Sequence, residues 1–168
     1  MISDLPRAHT VLRRLPTLSG APIRLEIARG LRDRRGPVHA GAFLRERRIA
    51  FDCTSAEFPR ILVHELFHFV WLRAGNGLRR SYEELVRGER TTGELGWSAE
   101  WRRKKLGPGD SARRTRKWRE YCCESFCDTA AWLYSGVVKH AEFTLPVCYR
   151  TGRRRWFQTA VGGRELPV

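Results

Sequence analysis

Residues 60–73 read Arg60-Ile61-Leu62-Val63-His64-Glu65-Leu66-Phe67-His68-Phe69-Val70-Trp71-Leu72-Arg73, and the reading of this stretch decides the fold. Apolar side chains point to every side of the helical wheel, the pattern of a helix buried all round. The lead-in Ser55-Ala56-Glu57-Phe58-Pro59 puts a proline where helices commonly begin, and Gly75-Asn76-Gly77 supplies a stop. Inside this apolar run sit His64, Glu65 and His68, and burying three such groups without partners costs on the order of several kcal/mol. A bound cation would supply the partner. Positions i and i+4 share a helix face, so His64 and His68 can meet one zinc ion at about 2.0–2.1 Å. Glu65 is turned about 100° away, beside the ion, where it can act as base toward a metal-activated water. The plain alternative is a chance recurrence of these residues on an ordinary helix. Against it stand the burial of the helix, the strand before it and the acids downstream.

Those acids lie on a long helix expected to start at Asp110 or Ser111 as N-cap, to run through Trp118, Tyr121, Cys122, Phe126, Ala130, Leu133 and Tyr134, and to stop at Gly136. It carries Glu120, Glu124 and Asp128 one turn apart. An extended histidine motif of the metzincin kind is excluded, because Trp71 and Ala74 occupy its Gly and His positions and the only methionine is Met1. Glu124-Ser125-Phe126-Cys127-Asp128-Thr129-Ala130 instead resembles the gluzincin pattern, in which a Glu ligates zinc and an Asp four residues on hydrogen-bonds a ligand histidine. The resemblance implies Glu124 as third ligand and Asp128 as the partner fixing the tautomer of His64 or His68. Shifted by one turn, Glu120 ligates and Glu124 stands behind it. The bland reading of these acids, pairing with Arg116 and Arg119, suits Glu120 best. The order of sheet, His-bearing helix, insertion and Glu-bearing helix over residues 38–136 is similar to the minimal gluzincin domains, including those of the ImmA/IrrE type. The Cys-rich helix and the Arg-rich insertion depart from any such pattern.

The remaining segments give an α+β class: a small antiparallel sheet packed on the two helices, in a single domain over 1–168. A short helix is expected within residues 5–15, and Ile23, Leu25 and Ile27 alternate with Arg24 and Glu26 as in a half-buried strand. Val38–Leu44 and Arg48–Asp52 read as two further strands. Residues 78–109, broken by five glycines, read as a basic surface insertion with short helices near 81–90 and 98–105. Phe143–Tyr149 and Trp156–Val161 look strand-like.

These features imply a zinc (Zn2+) metallopeptidase that hydrolyses a peptide bond without a covalent intermediate. Tyr134, Tyr121 and His140 are the candidates for stabilising the oxyanion, though each also suits core or surface. Arg48–Asp52 is the candidate edge for an extended peptide, and Arg45, Arg47 and Arg48 would favour an acidic one. The second reading is a non-catalytic or regulatory protein on the same scaffold. The charge of +14 and the clusters Arg102–Lys105, Arg113–Arg119 and Arg153–Trp156 would then contact nucleic acid. A solvated helix face explains such clusters equally well. Five cysteines, three of them in one short segment, argue against a disulfide framework and for reduced thiols. Cys123 and Cys127, one turn apart, could chelate zinc but also suit a helix core. His9, His39 and His140 stand alone. No run approaches the roughly 18 apolar residues of a membrane span, so the expectation is a soluble, cytoplasmic chain.

Overall fold

The structure is a computed structural model that describes residues 6–33, 36–52 and 56–168. Met1, Leu5, Cys53 and Ser55 lie outside them. In chain order the elements are α1 (Pro6–Leu12), β1 (Leu18–Ser19), β2 (Arg24–Ile27), β3 (Arg32–Asp33), β4 (Gly36–Pro37), β5 (Ala40–Phe43) and β6 (Arg48–Phe51). There follow α2 (Phe58–Arg73), α3 (Asn76–Arg87), α4 (Trp97–Arg103), α5 (Arg116–Tyr134), α6 (Val147–Ala160) and β7 (Leu166–Pro167).

The apolar run becomes α2, with Pro59 in its first turn. Leu62, Val63, Phe67 and Phe69 on it have no solvent exposure. The sheet lies on one side of α2 and α5 on the other, and Phe67 meets Phe126 of α5 and Phe157 of α6 at ring separations of 5.7 and 6.4 Å. Ala74 closes α2 by donating its N–H to Val70, and Gly75, extended, starts α3.

The three-stranded sheet runs β2-β6-β5 and is mixed, which corrects the antiparallel expectation. β5 and β6 form a hairpin (Ala42 opposite Ile49) whose turn uses a left-handed Arg47, with φ of 48°. β2, reached across the intervening β3–β4 hairpin, lies parallel to β6, with Leu25 opposite Ile49. Arg48–Phe51 is therefore the central strand, and among the described residues the free edge beside α2 belongs to β5.

Three other expectations are corrected. Helix α5 starts at Arg116 with Thr115 as N-cap, its hydroxyl accepting from the Trp118 N–H. Arg114 has φ of 47° and breaks the helical path, while Asp110 closes the preceding turn on the Gly107 N–H and the Thr115 hydroxyl. Residues 78–109 are only in part a surface segment, because Tyr82, Glu94, Leu95 and Ala99 are fully buried. The two strand-like runs near the end contribute instead to a helix, α6, packed through Arg153 and Phe157.

Arg153 is wholly buried and holds Glu89 at 2.7 and 2.9 Å and Glu94 at 2.7 Å. Arg103 of α4 also reaches Glu94 at 2.7 Å, and the Tyr121 hydroxyl donates to the same carboxylate. Two cations and two anions thus neutralise each other where α4, α5 and α6 meet, so the cluster is tolerated without solvent. Among the described residues no helix is long and apolar enough to cross a membrane.

Candidate metal centre

α2 and α5 pack so that the three sequence-predicted donors meet. Nε2 of His64 lies 3.2 Å from Nε2 of His68 and 3.3 Å from Oε2 of Glu124, and His68 Nε2 is 3.9 Å from that same oxygen. Two nitrogen or oxygen atoms bound tetrahedrally to one zinc ion are about 3.3 Å apart, given bonds of about 2.0–2.1 Å. The donor set fits. Two ring nitrogens facing each other also repel unless a proton or a cation lies between them.

The surroundings favour positive charge at this point. Burial alone would lower the His64 pKa, but Asp128, Glu124 and Glu65 outweigh it and hold it well above its ordinary value. His68, opposed by burial and by His64, is raised to about 9 by its hydrogen bond with Cys123 and the charge of Glu124. Burial would raise the Glu124 carboxyl, but the hydrogen bond with His64 and the charges of His68, His64 and Arg102 hold it far below the usual carboxylate range.

Each donor is fixed from behind. Nδ1 of His64 lies 2.7 Å from Oδ1 of Asp128, whose other oxygen accepts the Ala99 N–H at 3.2 Å. The Ser98 hydroxyl donates to Oε2 of Glu124 at 2.6 Å, while Arg102 holds Oε1 at 2.9 Å. On the far side of the His68 ring, Nδ1 lies 3.4 Å from the Cys123 sulfur and 3.5 Å from that of Cys127. Interaction with Cys127 and with His68 outweighs burial and lowers the Cys123 thiol from its ordinary value.

Other candidates lie elsewhere. Glu120 is exposed and pairs with Arg116 at 2.6 Å, away from the three donors. Tyr134 stacks on Phe67, Tyr121 donates to Glu94, and His140 pairs with Glu57 at 3.1 Å. None of the three lines the cleft of about 470 Å³ above the donors, which is bounded by Ala40 and Gly41 of β5, by Glu65, and by Trp97, Ser98, Trp101 and Arg102 of α4. Tyr134, the expected oxyanion donor, thus lies against Phe67 and away from the cleft lining. Sequence reading expects a short helix near 98–105 but gives α4 no part in the site, although two tryptophans and an arginine within six residues were a legible hint.

The basic clusters are partly internal. Arg102, Arg103, Arg114 and Arg153, drawn from all three, are counter-ions to Glu124, Glu94, Glu83 and Glu89. Arg48 pairs with Glu26 and Glu46, and Arg47 donates to the carbonyls of Ala21, Pro22 and Val168, which leaves Arg45 as the exposed cation of that trio.

Comparison with known proteins finds no family model, no curated protein and no solved structure that matches the chain.

Proposed function

We propose that this chain is a zinc-dependent peptidase of zincin type, with a gluzincin-like ligand set of His64, His68 and Glu124. The observation that carries the reading is the convergence of two imidazole nitrogens and one carboxylate oxygen from α2 and α5 within 3.2–3.9 Å. Zinc held there would polarise a substrate carbonyl and acidify water.

The protein's own groups then have distinct tasks. Asp128 accepts from Nδ1–H of His64 and so keeps the Nε2 lone pair turned toward the other donors. Arg102 and Ser98 hold Glu124 in one orientation. Glu65, on the cleft wall and one residue from His64, takes the proton of the attacking water and returns it to the leaving amine. The free edge of β5 can pair with an extended peptide, whose side chains would meet Trp97 and Trp101 across the cleft.

Metal analysis of the purified chain tests this. We expect one zinc per chain, lost in His68→Ala, bound more weakly in His64→Ala and Glu124→Ala and kept in Glu65→Gln, and hydrolysis of unfolded protein or a peptide library that Glu65→Gln abolishes. Zinc that survives His68→Ala, or equal hydrolysis by Glu65→Gln, overturns it.

A further inference from the structure

The His68 ring has two nitrogens, and the reading above uses only Nε2. Behind the ring, Cys123 and Cys127 stand one turn apart on α5, the i, i+4 spacing that lets two side chains share one ion. Their sulfurs lie 3.4 and 3.5 Å from Nδ1, and the three donor atoms are all within 4.8 Å of one another. Nitrogen and sulfur bound tetrahedrally to one ion are about 3.5 Å apart, given bonds of about 2.0 Å to nitrogen and 2.3 Å to sulfur. The same ring thus presents a hard-edged donor set on one side and a sulfur-rich one on the other. Cys127 is wholly buried, which shields the sulfurs from water, and Cys123 is part-exposed, which gives an ion a way in.

We propose that Nδ1 of His68 with the sulfurs of Cys123 and Cys127 forms a second site, specific for thiophilic divalent cations, and that an ion there antagonises the one on Nε2. Two thiolates and a neutral imidazole balance a dication, and sulfur selects soft ions over magnesium or calcium. Binding releases to solvent the protons still held on the two sulfurs and on Nδ1. The neutral ring keeps one proton, and with Nδ1 occupied that proton sits on Nε2, where it removes the lone pair the first site needs. One imidazole therefore serves either ion in its neutral form, not both. The second site's existence does not depend on the peptidase reading; only the antagonism does.

Cadmium is the probe. The reduced full chain, freed of metal by a chelator, is titrated with Cd(II) while the ultraviolet thiolate-to-metal charge-transfer band is followed. The band should saturate at one equivalent in wild type and in His64→Gln, fall by about half in Cys123→Ser, and vanish in the Cys123→Ser, Cys127→Ser double variant, whose fold is checked by circular dichroism. A band that persists in the double variant, or none in wild type, means that the cysteines only orient the ring, and overturns the site. A band in His64→Gln keeps the site even where the zinc-peptidase reading fails. Zinc-loaded wild type should release its zinc as the band grows, at cadmium levels that leave the double variant loaded. Zinc retained at full band intensity overturns the antagonism.

Discussion

Asp128 and Gly96 are in such close approach that a Cβ on Gly96 would fall inside the van der Waals envelope of the Asp128 carboxylate. Gly96 is extended, so the requirement is one of space and not of backbone conformation. Gly96→Ala should displace Asp128 from His64 and weaken zinc affinity by about 10–100-fold, as should Asp128→Asn. Competition against a chromophoric chelator measures both. Wild-type affinity in Gly96→Ala would show that the hold on His64 has no bearing on the metal.

Arg102 acts at 2.9 Å on the carboxylate of Glu124, the proposed third ligand, whereas Glu120, one turn before it, faces solvent with Arg116. Arg102→Ala should weaken zinc binding roughly tenfold, with Arg102→Lys in between. Glu120→Ala should leave zinc content unchanged and cost only about 0.3–0.5 kcal/mol of stability. Loss of zinc in Glu120→Ala would shift the ligand by one turn and contradict the geometry.

Arg153 is completely enclosed with Glu89 and Glu94. Arg153→Ala would leave two buried carboxylates short of a counter-charge and should cost about 3–5 kcal/mol, read from urea unfolding. A change below about 1 kcal/mol would mean that solvent reaches the cluster.

The same cluster sets an acid limit. Burial alone would raise the Glu94 carboxyl, but Arg153 and Arg103 prevail and hold it below its ordinary 4.5. A group whose pKa is depressed on folding contributes stability above its unfolded value, and that contribution is lost as pH falls through the folded value. Melting temperature should therefore be flat in this respect above about pH 4.5 and fall below it. Glu94→Gln should melt lower at neutral pH and show a shallower acid fall; an equally steep fall would assign the acid limb to other carboxylates.

Trp97 is 63% exposed on the cleft rim, an unusual place for so large an apolar surface. Trp97→Ala should raise KM for peptide substrates by roughly tenfold with zinc content and kcat little changed. Unchanged KM would place the bound peptide elsewhere.

The legibility of this chain follows from where polar groups sit. Helix α2 and its donors could be read because three polar residues interrupt an otherwise apolar wheel. Helix α6 could not, because one of its inward positions is Arg153, and a buried arginine inside an Arg triplet looks like solvated surface. The start of α5 was misplaced because a left-handed Arg114 leaves no mark in periodicity. Strand alternation locates β6 but says nothing of its neighbours, so the edge was assigned to the central strand. The partners of Glu124 come from α4, whose register against α5 depends on tertiary packing that no local pattern encodes.

Arg102 and Arg103 are consecutive on α4 yet turn to opposite duties, one gripping Glu124 and the other anchored on Glu94 in the interior. The short helix is thereby bolted to the protein's own ion cluster before any metal arrives. Small zinc-nucleated modules collapse when stripped of their ion. Here the socket belongs to the polypeptide, so a chelator should empty it while the scaffold stands, and reloading should need no refolding.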